Sequence, residues 1–335
     1  MKIGLFCLAE HFEGKVNESI MDQLRLVELA DKLGFDEAWF GEHHFNGFSV
    51  IPDPSAMMAY ASAKTESIRL GTAGFLAPFY HPVRLAESIS VLDNFSNGRI
   101  NAGFAKGGFA PDTKHFNRDP ESLRNAMFEI TEAVDKLLHS KNPSFAGTYA
   151  SFKNTKLHPK PLQERIPFFV ATFANPDTIH YAARHGYGLM MSQGATIEEC
   201  KAAQELYRSI AGMDPEIVLM RVFGVADSFD DAYRIAGPSI DHFVKSMRAA
   251  SSEVPAPKWN REKYDAILNE RETFFDGQKF FDNAILGTPS QCIETIKIIK
   301  KELNNVHLIL KPSPNDFDQN YEMLVRFNTK IRPYI

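Results

Sequence analysis

The chain has 335 residues, of which 44% are hydrophobic and 24% are charged, and its formal net charge at pH 7 is −5. That length fits one large α/β domain or two ordinary domains, and the weak negative charge argues against a nucleic-acid-binding protein. No apolar run approaches the roughly 18 residues that a membrane-spanning helix needs, so we expect no membrane partner.

The amino terminus and the cysteines both favour a cytoplasmic protein. Lys2 and the apolar run 3–9 superficially resemble a secretion signal, but charged residues follow at once and no small-residue cleavage site appears. The run therefore predicts a buried first strand. The cysteines lie far apart without C-x-x-C spacing, which is typical of reduced thiols; they are Cys7, Cys200 and Cys292.

Short apolar segments alternate with amphipathic helical patterns along the whole chain. The apolar segments predict eight strands, over residues 3–8, 38–41, 68–77, 99–107, 167–172, 188–192, 217–226 and 306–311. Helices are predicted between and after them, the first ending at Gly34 and the others over 54–65, 81–92, 122–139, 177–185, 197–210, 230–250, 290–303 and 317–331. Two stretches interrupt the alternation: 142–166, which we expect to form a small hairpin, and 251–286.

The order of these elements predicts the fold. Strands separated by helices pair in parallel, because a parallel crossover needs a dozen or more residues. Eight such units in this length predict a (β/α)8 TIM barrel that occupies residues 1–335 as a single domain. An open, doubly wound sheet is the alternative, and the lack of a G-x-G-x-x-G fingerprint after the first strand argues against it.

Two adjacent histidines, His43 and His44, follow the second predicted strand. Barrel active sites lie at the carboxyl ends of the strands, and imidazole titrates near neutral pH, so the pair predicts acid–base chemistry. Neighbouring strand residues point to opposite faces, which argues against a metal site built from the pair. The alternative is two hydrogen-bonded structural histidines with Glu42 as a packing partner.

Three strand ends offer candidate phosphate sites. Lys106 and two glycines follow the fourth strand, and Asn175 and Pro176 follow the fifth, where they predict a capped helix start with free N–H groups. A solvated lysine and a plain helix cap are the simpler interpretations. Lys311 follows the eighth strand, where barrels often bind phosphate. Spacing alone does not choose between the fifth and the eighth strand.

The third predicted strand is unusually rich in glycine. Gly71 and Gly74 lie where β-branched residues are expected. Glycine inside a strand marks either the close approach of a ligand or backbone, or a bulge, and the sequence leaves both open.

Five segments, in order and at matching spacing, resemble the bacterial luciferase family of flavin-dependent monooxygenases, and most closely its catalytic alpha subunits. The resemblance runs from the first strand to the last helix and implies a (β/α)8 barrel. The segments are 34–45, 71–73, 81–87, 92–99 and 286–289.

The resemblance also implies roles for residues at matching positions. His43 matches the luciferase catalytic base and His44 its neighbour, which makes both candidate catalytic residues. Lys106 stands where luciferases have an arginine, so it keeps a charge without the bidentate fork. The implied phosphate site follows strand five rather than strand eight, and Ala73-Gly74 matches a non-proline cis peptide beneath the flavin ring. The implied cofactor-binding residues are Ala73, Gly74, Lys106, Arg124, Thr172, Phe173, Ala174, Asn175, Thr178 and Ser192.

The activity that the resemblance implies is a reduced-FMN-dependent monooxygenase. It would use O2 through a C4a-peroxyflavin on a small organic substrate, with aldehydes among the candidates. A separate reductase would supply the reduced FMN, residues 251–286 would form a mobile lid, and the chain would form a homodimer or a heterodimer. The alternatives are an F420-dependent hydride-transfer oxidoreductase and a noncatalytic flavin-binding or partner subunit.

Overall fold

A computed structural model describes residues 1–10, 16–45, 49–252, 276–314 and 316–335. Its centre is a closed ring of eight parallel strands, as predicted. In ring order the strands are β1 (Lys2–Cys7), β2 (Glu37–Phe40), β3 (Arg69–Thr72), β5 (Ile100–Ala105), β8 (Phe168–Thr172), β9 (Gly188–Met191), β10 (Ile217–Val225) and β12 (Val306–Pro312). The pairings of β12 with β1 and of β9 with β10 close the ring, so the open-sheet alternative is wrong.

Helices surround this ring and connect its strands. They are α1 (Val16–Lys32), α2 (Pro54–Lys64), α3 (Pro82–Phe95), α4 (Ala110–His115), α5 (Leu123–His139), α6 (Pro176–His185), α7 (Ile197–Ala211), α8 (Phe229–Ser252), α9 (Gly277–Asp282), α10 (Pro289–Glu302) and α11 (Phe317–Lys330). Of the helices in the described ranges, none combines the length and apolar character that a membrane crossing requires.

Short strands lie outside the ring. The predicted hairpin is confirmed as the antiparallel pair β6 (Phe145–Ala146) and β7 (Ser151–Phe152). In the second interruption, α9 is followed by β11 (Ile285–Gly287), which pairs with the carboxyl end of β10. Residues 253–275, the larger part of the lid implied at 251–286, lie outside the described residues.

The sequence prediction was wrong about the third strand and silent about one helix. The predicted strand 68–77 is divided into two strands: β3 ends at Thr72, and β4 (Phe75–Leu76) begins three residues later. The peptide bond between Ala73 and Gly74 is cis, as the resemblance implied. Helix α4 was not predicted, since six residues are too few to show a helical period.

The glycines of the third strand make room for the barrel interior. A Cβ at Gly71 would lie 2.6 Å from the indole of Trp39, which belongs to the interior cluster together with Phe169. A Cβ at Gly103, on the neighbouring β5, would lie 2.0 Å from the carbonyl oxygen of Thr72. Close approach of side chain and backbone, rather than a bulge, therefore accounts for the glycine at position 71.

The amino-terminal end of the barrel is closed by a buried polar network around Glu37. Its carboxylate accepts a hydrogen bond from the Trp39 indole at 2.8 Å and lies 3.1 Å from His307 Nδ1, while His307 Nε2 lies 3.3 Å from Glu216. Burial alone would raise the pKa of Glu37, but His307, the Trp39 hydrogen bond and the charge of Lys2 together outweigh it, so the pKa is lowered. Burial would lower the pKa of His307, but the two carboxylates raise it.

This network predicts a pH window for stability. Glu37 stabilises the fold above its usual pKa of 4.5 and loses that contribution as the pH falls through its lowered value. His307 contributes fully below 6.5 and loses that contribution as the pH rises through its raised value. We therefore expect Glu37→Gln to lower the free energy of unfolding most between pH 4.5 and 6.5, by about 3–5 kcal/mol in urea titrations.

Glu87→Gln is the matched control, because Glu87 pairs with Arg84 at 2.6 Å on the surface. Its effect should stay below about 1 kcal/mol. An equal loss of stability in both variants would contradict the role assigned to the buried network.

Candidate active site

The histidine pair lies at the carboxyl end of β2, against aromatic side chains from the α4 region. The ring of His43 stacks on Phe109, with centroids 6.0 Å apart and planes at 25°. The ring of His44 meets Phe116 edge-on at 4.9 Å. Because Phe109 and Phe116 flank α4, which follows β5, the pair is held between the ends of two ring strands.

Glu42 fixes the orientation of His44. This buried carboxylate lies 2.8 Å from His44 Nε2 and accepts hydrogen bonds from the Tyr80 hydroxyl at 2.9 Å and the Leu76 amide at 3.1 Å. Burial raises the pKa of Glu42 although all three contacts lower it. The predicted partnership between Glu42 and the histidine pair is thus observed at His44, and a catalytic role for His44 stays a prediction.

His43 has a different electrostatic setting. Burial lowers its pKa to about 4, and the nearby charge of His44 lowers it in the same direction. The imidazole is therefore neutral at pH 7, the form that can accept a proton, but burial makes it a weaker base than an ordinary histidine.

Asp112, on α4, is a candidate functional residue that sequence reasoning missed. It is fully buried, and within the described part of the chain neither carboxylate oxygen has a hydrogen-bond partner. Burial raises its pKa to about 6; His44 opposes this effect and Glu42 adds to it. Its sequence context, Ala-Pro-Asp-Thr-Lys, is that of an ordinary surface turn and gives no sign of burial.

The predicted phosphate-binding residues come together at β5, β8 and the start of α6. The parallel register pairs Phe104 with Val170, so Lys106 leaves the ring beside Thr172. The Thr172 hydroxyl accepts a hydrogen bond from the Asn175 amide at 3.1 Å, and the Asn175 side chain caps α6 by accepting from the Thr178 amide at 3.2 Å. The predicted capped helix start is confirmed, and it lies next to the predicted lysine.

Arg124 reaches the same place from α5. Its guanidinium lies 3.3 Å from the carboxylate of Asp177, in the first turn of α6. One of the five guanidinium N–H groups is thus used, and the remaining donors suit an anion. The carboxylate of Asp177, which is 76% exposed, opposes any anion bound here.

The competing position after the eighth strand is unsuited to phosphate. The Lys311 ammonium lies 2.7 Å from Glu10 and donates to the Ser239 hydroxyl at 2.6 Å. All three groups lie near the carboxyl ends of β1 and β12, and Glu10 neutralises the lysine charge.

The remaining predicted positions complete one arc of the ring. The Ala73 amide donates to the carbonyl of Phe40 at 2.7 Å, and a Cβ at Gly74 would lie 2.8 Å from the backbone of Gly103. Ser192 follows β9, and its carbonyl accepts from Arg221 at 3.3 Å. The predicted site residues thus lie at or after the ends of five consecutive ring strands, except for Arg124 on α5. Phe173, which is exposed, and Ala174, which has a positive φ of 55°, belong to the loop after β8.

Comparison with known proteins matches the chain over most of its length. The profile of the luciferase-like monooxygenase family covers residues 1–303. The oxygenase component of a flavin-dependent trigonelline monooxygenase from Acinetobacter baylyi is 26% identical over 320 residues, which cover 89% of this chain and 85% of that protein. The alkanal monooxygenase alpha chain of Aliivibrio fischeri is 25% identical over 352 residues, covering 100% and 99%.

A solved structure is similar over the same extent. The monooxygenase RslO1 from Streptomyces bottropensis superimposes with a TM-score of 0.85 at 26% sequence identity, covering 99% of each chain.

The unpartnered carboxyl of Asp112 predicts a pH-dependent gain in stability for Asp112→Asn. The usual pKa of 3.8 rises to about 6 on folding, so the folded state binds the extra proton and loses stability as the pH rises between those values. At pH 8 the variant should unfold with a free energy about 3 kcal/mol higher than wild type, and near pH 3.5 the difference should vanish. A pH-independent difference in urea titrations would show that Asp112 does not titrate this way.

Proposed function

Because the chain belongs to the luciferase-like monooxygenase family, we propose that it is the oxygenase component of a two-component, reduced-FMN-dependent monooxygenase that acts with O2 on a small organic substrate. The observation that carries the proposal is the arc of five strand ends, where a neutral His43 lies along the same rim as a cationic anchor built from Lys106, Arg124 and the start of α6. The names of the relatives agree with it, since one is a flavin-dependent oxygenase component and the other an alkanal monooxygenase chain.

The residues present fit FMN. Lys106 and Arg124 would hold the phosphate beside the amino end of α6, because cationic side chains and the positive end of a helix dipole together favour a dianion. The flavin ring would lie toward Ala73-Gly74 and the histidines, near Asp112, whose carboxylate has no hydrogen-bond partner in the described part of the chain. Reduced FMN, when bound, supplies the electrons that activate O2.

The chain's own side chains would manage protons and exclude water. His43 is neutral and accepts a proton, while the bond from Glu42 holds His44 in place beside it. The aromatic rings of Phe109 and Phe116 shield this corner of the mouth from solvent. A separate reductase would deliver the reduced FMN. The chain would fold as a single barrel domain, and two such barrels would form a dimer.

Replacing His43 tests the proposal directly. Photoreduced FMN bound to the wild type should release hydrogen peroxide on mixing with O2 more slowly than free reduced FMN does. His43→Ala should release it about a hundredfold faster than the wild type, the lower end of general acid–base contributions, with little change in FMN affinity. Stopped-flow measurements of flavin reoxidation and of peroxide release compare the wild type with the variant.

His185→Ala is the control, since that ring lies at the far end of α6, tilted against Tyr181 and stacked on Tyr187. Titrating the wild type with F420 in parallel decides between cofactors. Saturable binding of F420 without binding of FMN would replace the proposal with the hydride-transfer alternative, and identical kinetics in wild type and His43→Ala would favour a noncatalytic subunit.

The phosphate anchor gives a prediction with opposite signs at two neighbouring residues. Arg124→Ala should weaken FMN binding by about tenfold, the loss of one charge-assisted hydrogen bond. Asp177→Asn should strengthen FMN binding a few-fold, because it removes the negative charge 3.3 Å from Arg124. Flavin fluorescence titrations measure both affinities.

Riboflavin, which lacks the phosphate, provides the internal control. Its affinity should not change in either variant, and Arg84→Ala should leave FMN binding unchanged because the exposed Arg84 pairs with Glu87 on the surface, away from the proposed anchor. Equal effects on FMN and riboflavin would place the phosphate elsewhere.

A further inference from the structure

A polar cavity lies on the opposite side of the barrel mouth from the proposed phosphate anchor. It has a volume of about 260 Å³ and opens between the ends of β1 and β12 and the helices α1 and α11. Phe6 and Leu8, both members of the barrel-interior cluster, form part of its wall. In the ring, β1 and β12 face β5 and β8, with three strand-to-strand steps on either side.

Two buried acceptors in the cavity wall have no hydrogen-bond donor among the described residues. Glu10 Oε2 contacts Lys311 and the Ser239 hydroxyl, whereas Glu10 Oε1 has no donor in the described ranges, although the side chain is only 10% exposed. Asn320 donates its amide to the carbonyl of Pro314 at 2.7 Å, and its Oδ1 has no partner at 8% exposure. Both residues line the cavity, and a buried acceptor without a donor is costly.

The charge of the cavity lining also favours a ligand that carries hydrogen-bond donors. Its described lining contains five carboxylates and one ammonium; the ammonium, on Lys311, is already bonded to Glu10 and Ser239, and one carboxylate, on Asp22, pairs with Arg25 at 3.3 Å. The carboxylates are Glu10, Glu18, Asp22, Asp316 and Asp318. A molecule that enters is therefore favoured by positive charge and by N–H groups.

We propose that this cavity binds the protonated amino group of a small organic molecule, with Glu10 Oε1 and Asn320 Oδ1 accepting its N–H bonds. A primary ammonium offers three donors and one charge, which matches two orphaned acceptors in an acidic surround. The volume is below the roughly 300–1,000 Å³ of sites for drug-sized ligands, so the molecule is small. A divalent metal is a poorer match, since no cluster of three or more metal-binding side chains occurs in the described ranges.

The location of the cavity makes this molecule a candidate substrate, an assignment that rests on the proposed function. The cavity shares the carboxyl end of the barrel with His43 and lies across the ring from the phosphate anchor. A flavin held at the anchor would extend toward the mouth, and a substrate held by its amine in the cavity would approach from the other side. The substrate class is accordingly a small organic amine.

Binding is tested without flavin. Isothermal titration of the full-length protein at pH 7 compares benzylammonium with benzyl alcohol, which lacks the charge, and with benzyltrimethylammonium, which lacks N–H donors. We expect saturable binding of benzylammonium, with affinity about tenfold or more above that of either analogue, the usual effect of a charge-assisted hydrogen bond. Failure of benzylammonium to bind, or equal binding of all three, overturns the proposal.

Two substitutions locate the binding. Glu10→Gln should weaken benzylammonium binding by about tenfold or more, but it also leaves Lys311 buried without its charge partner. Asp316→Asn avoids that difficulty, because Asp316 caps α11 by accepting from the Gln319 amide and asparagine caps equally well. It removes one cavity charge and should weaken binding about twofold to fivefold, more at low salt.

Asp53→Asn is the matched control. Asp53 caps α2 in the same way but does not line the cavity, so benzylammonium binding should be unchanged. An equal effect of Asp53→Asn and Asp316→Asn would place the amine elsewhere and overturn the assignment. FMN affinity is measured on the same proteins. If the wild type binds benzylammonium but not FMN, the proposed function is wrong and the ammonium site stands, so the two failures can be told apart.

Discussion

Closure of the strand ring through the pairing of β12 with β1 is the constraint on which the rest of the structure depends. Once eight parallel strands close, all their carboxyl ends lie on one rim, and loops that are distant in sequence become neighbours. Glu10 and Lys311 are separated by 301 positions, yet they lie 2.7 Å apart because their strands are adjacent in the ring. The same closure places His43 and His44 after β2, Lys106 after β5 and the start of α6 after β8 along one continuous arc of the rim.

The two ends of the barrel treat buried charge differently. At the amino end, Glu37 and His307 satisfy each other, and further hydrogen bonds from Trp39 and Asn101 complete the network. At the carboxyl end, Asp112 and Glu10 keep oxygens that have no donor among the described residues, and burial holds His43 neutral. Unsatisfied buried groups of this kind are uncommon in stable folds and are enriched at sites where a ligand or water completes them. The contrast supports the proposal that the carboxyl rim is the functional one.

The sequence predicted the repeating architecture well because hydrophobic period and helix capping are local properties. The strand and helix positions around Asn175 and Pro176 follow from a capping pattern, and the structure has them as predicted. The third strand was predicted as continuous because apolar content does not show that Ala73–Gly74 is cis. Helix α4 was missed because a six-residue helix leaves no period to detect, and Asp112 was missed with it.

The sequence by itself determined the alternation of strands and helices, hence the barrel, and which residues follow each strand end. Only the tertiary structure decided which of those residues carry unusual chemistry. The lowered pKa of His43, the raised pKa of Asp112 and the pairing of Arg124 with Asp177 all depend on burial and on charges from other elements. Desolvation and Coulomb interaction act through space, so no local pattern in the chain encodes them.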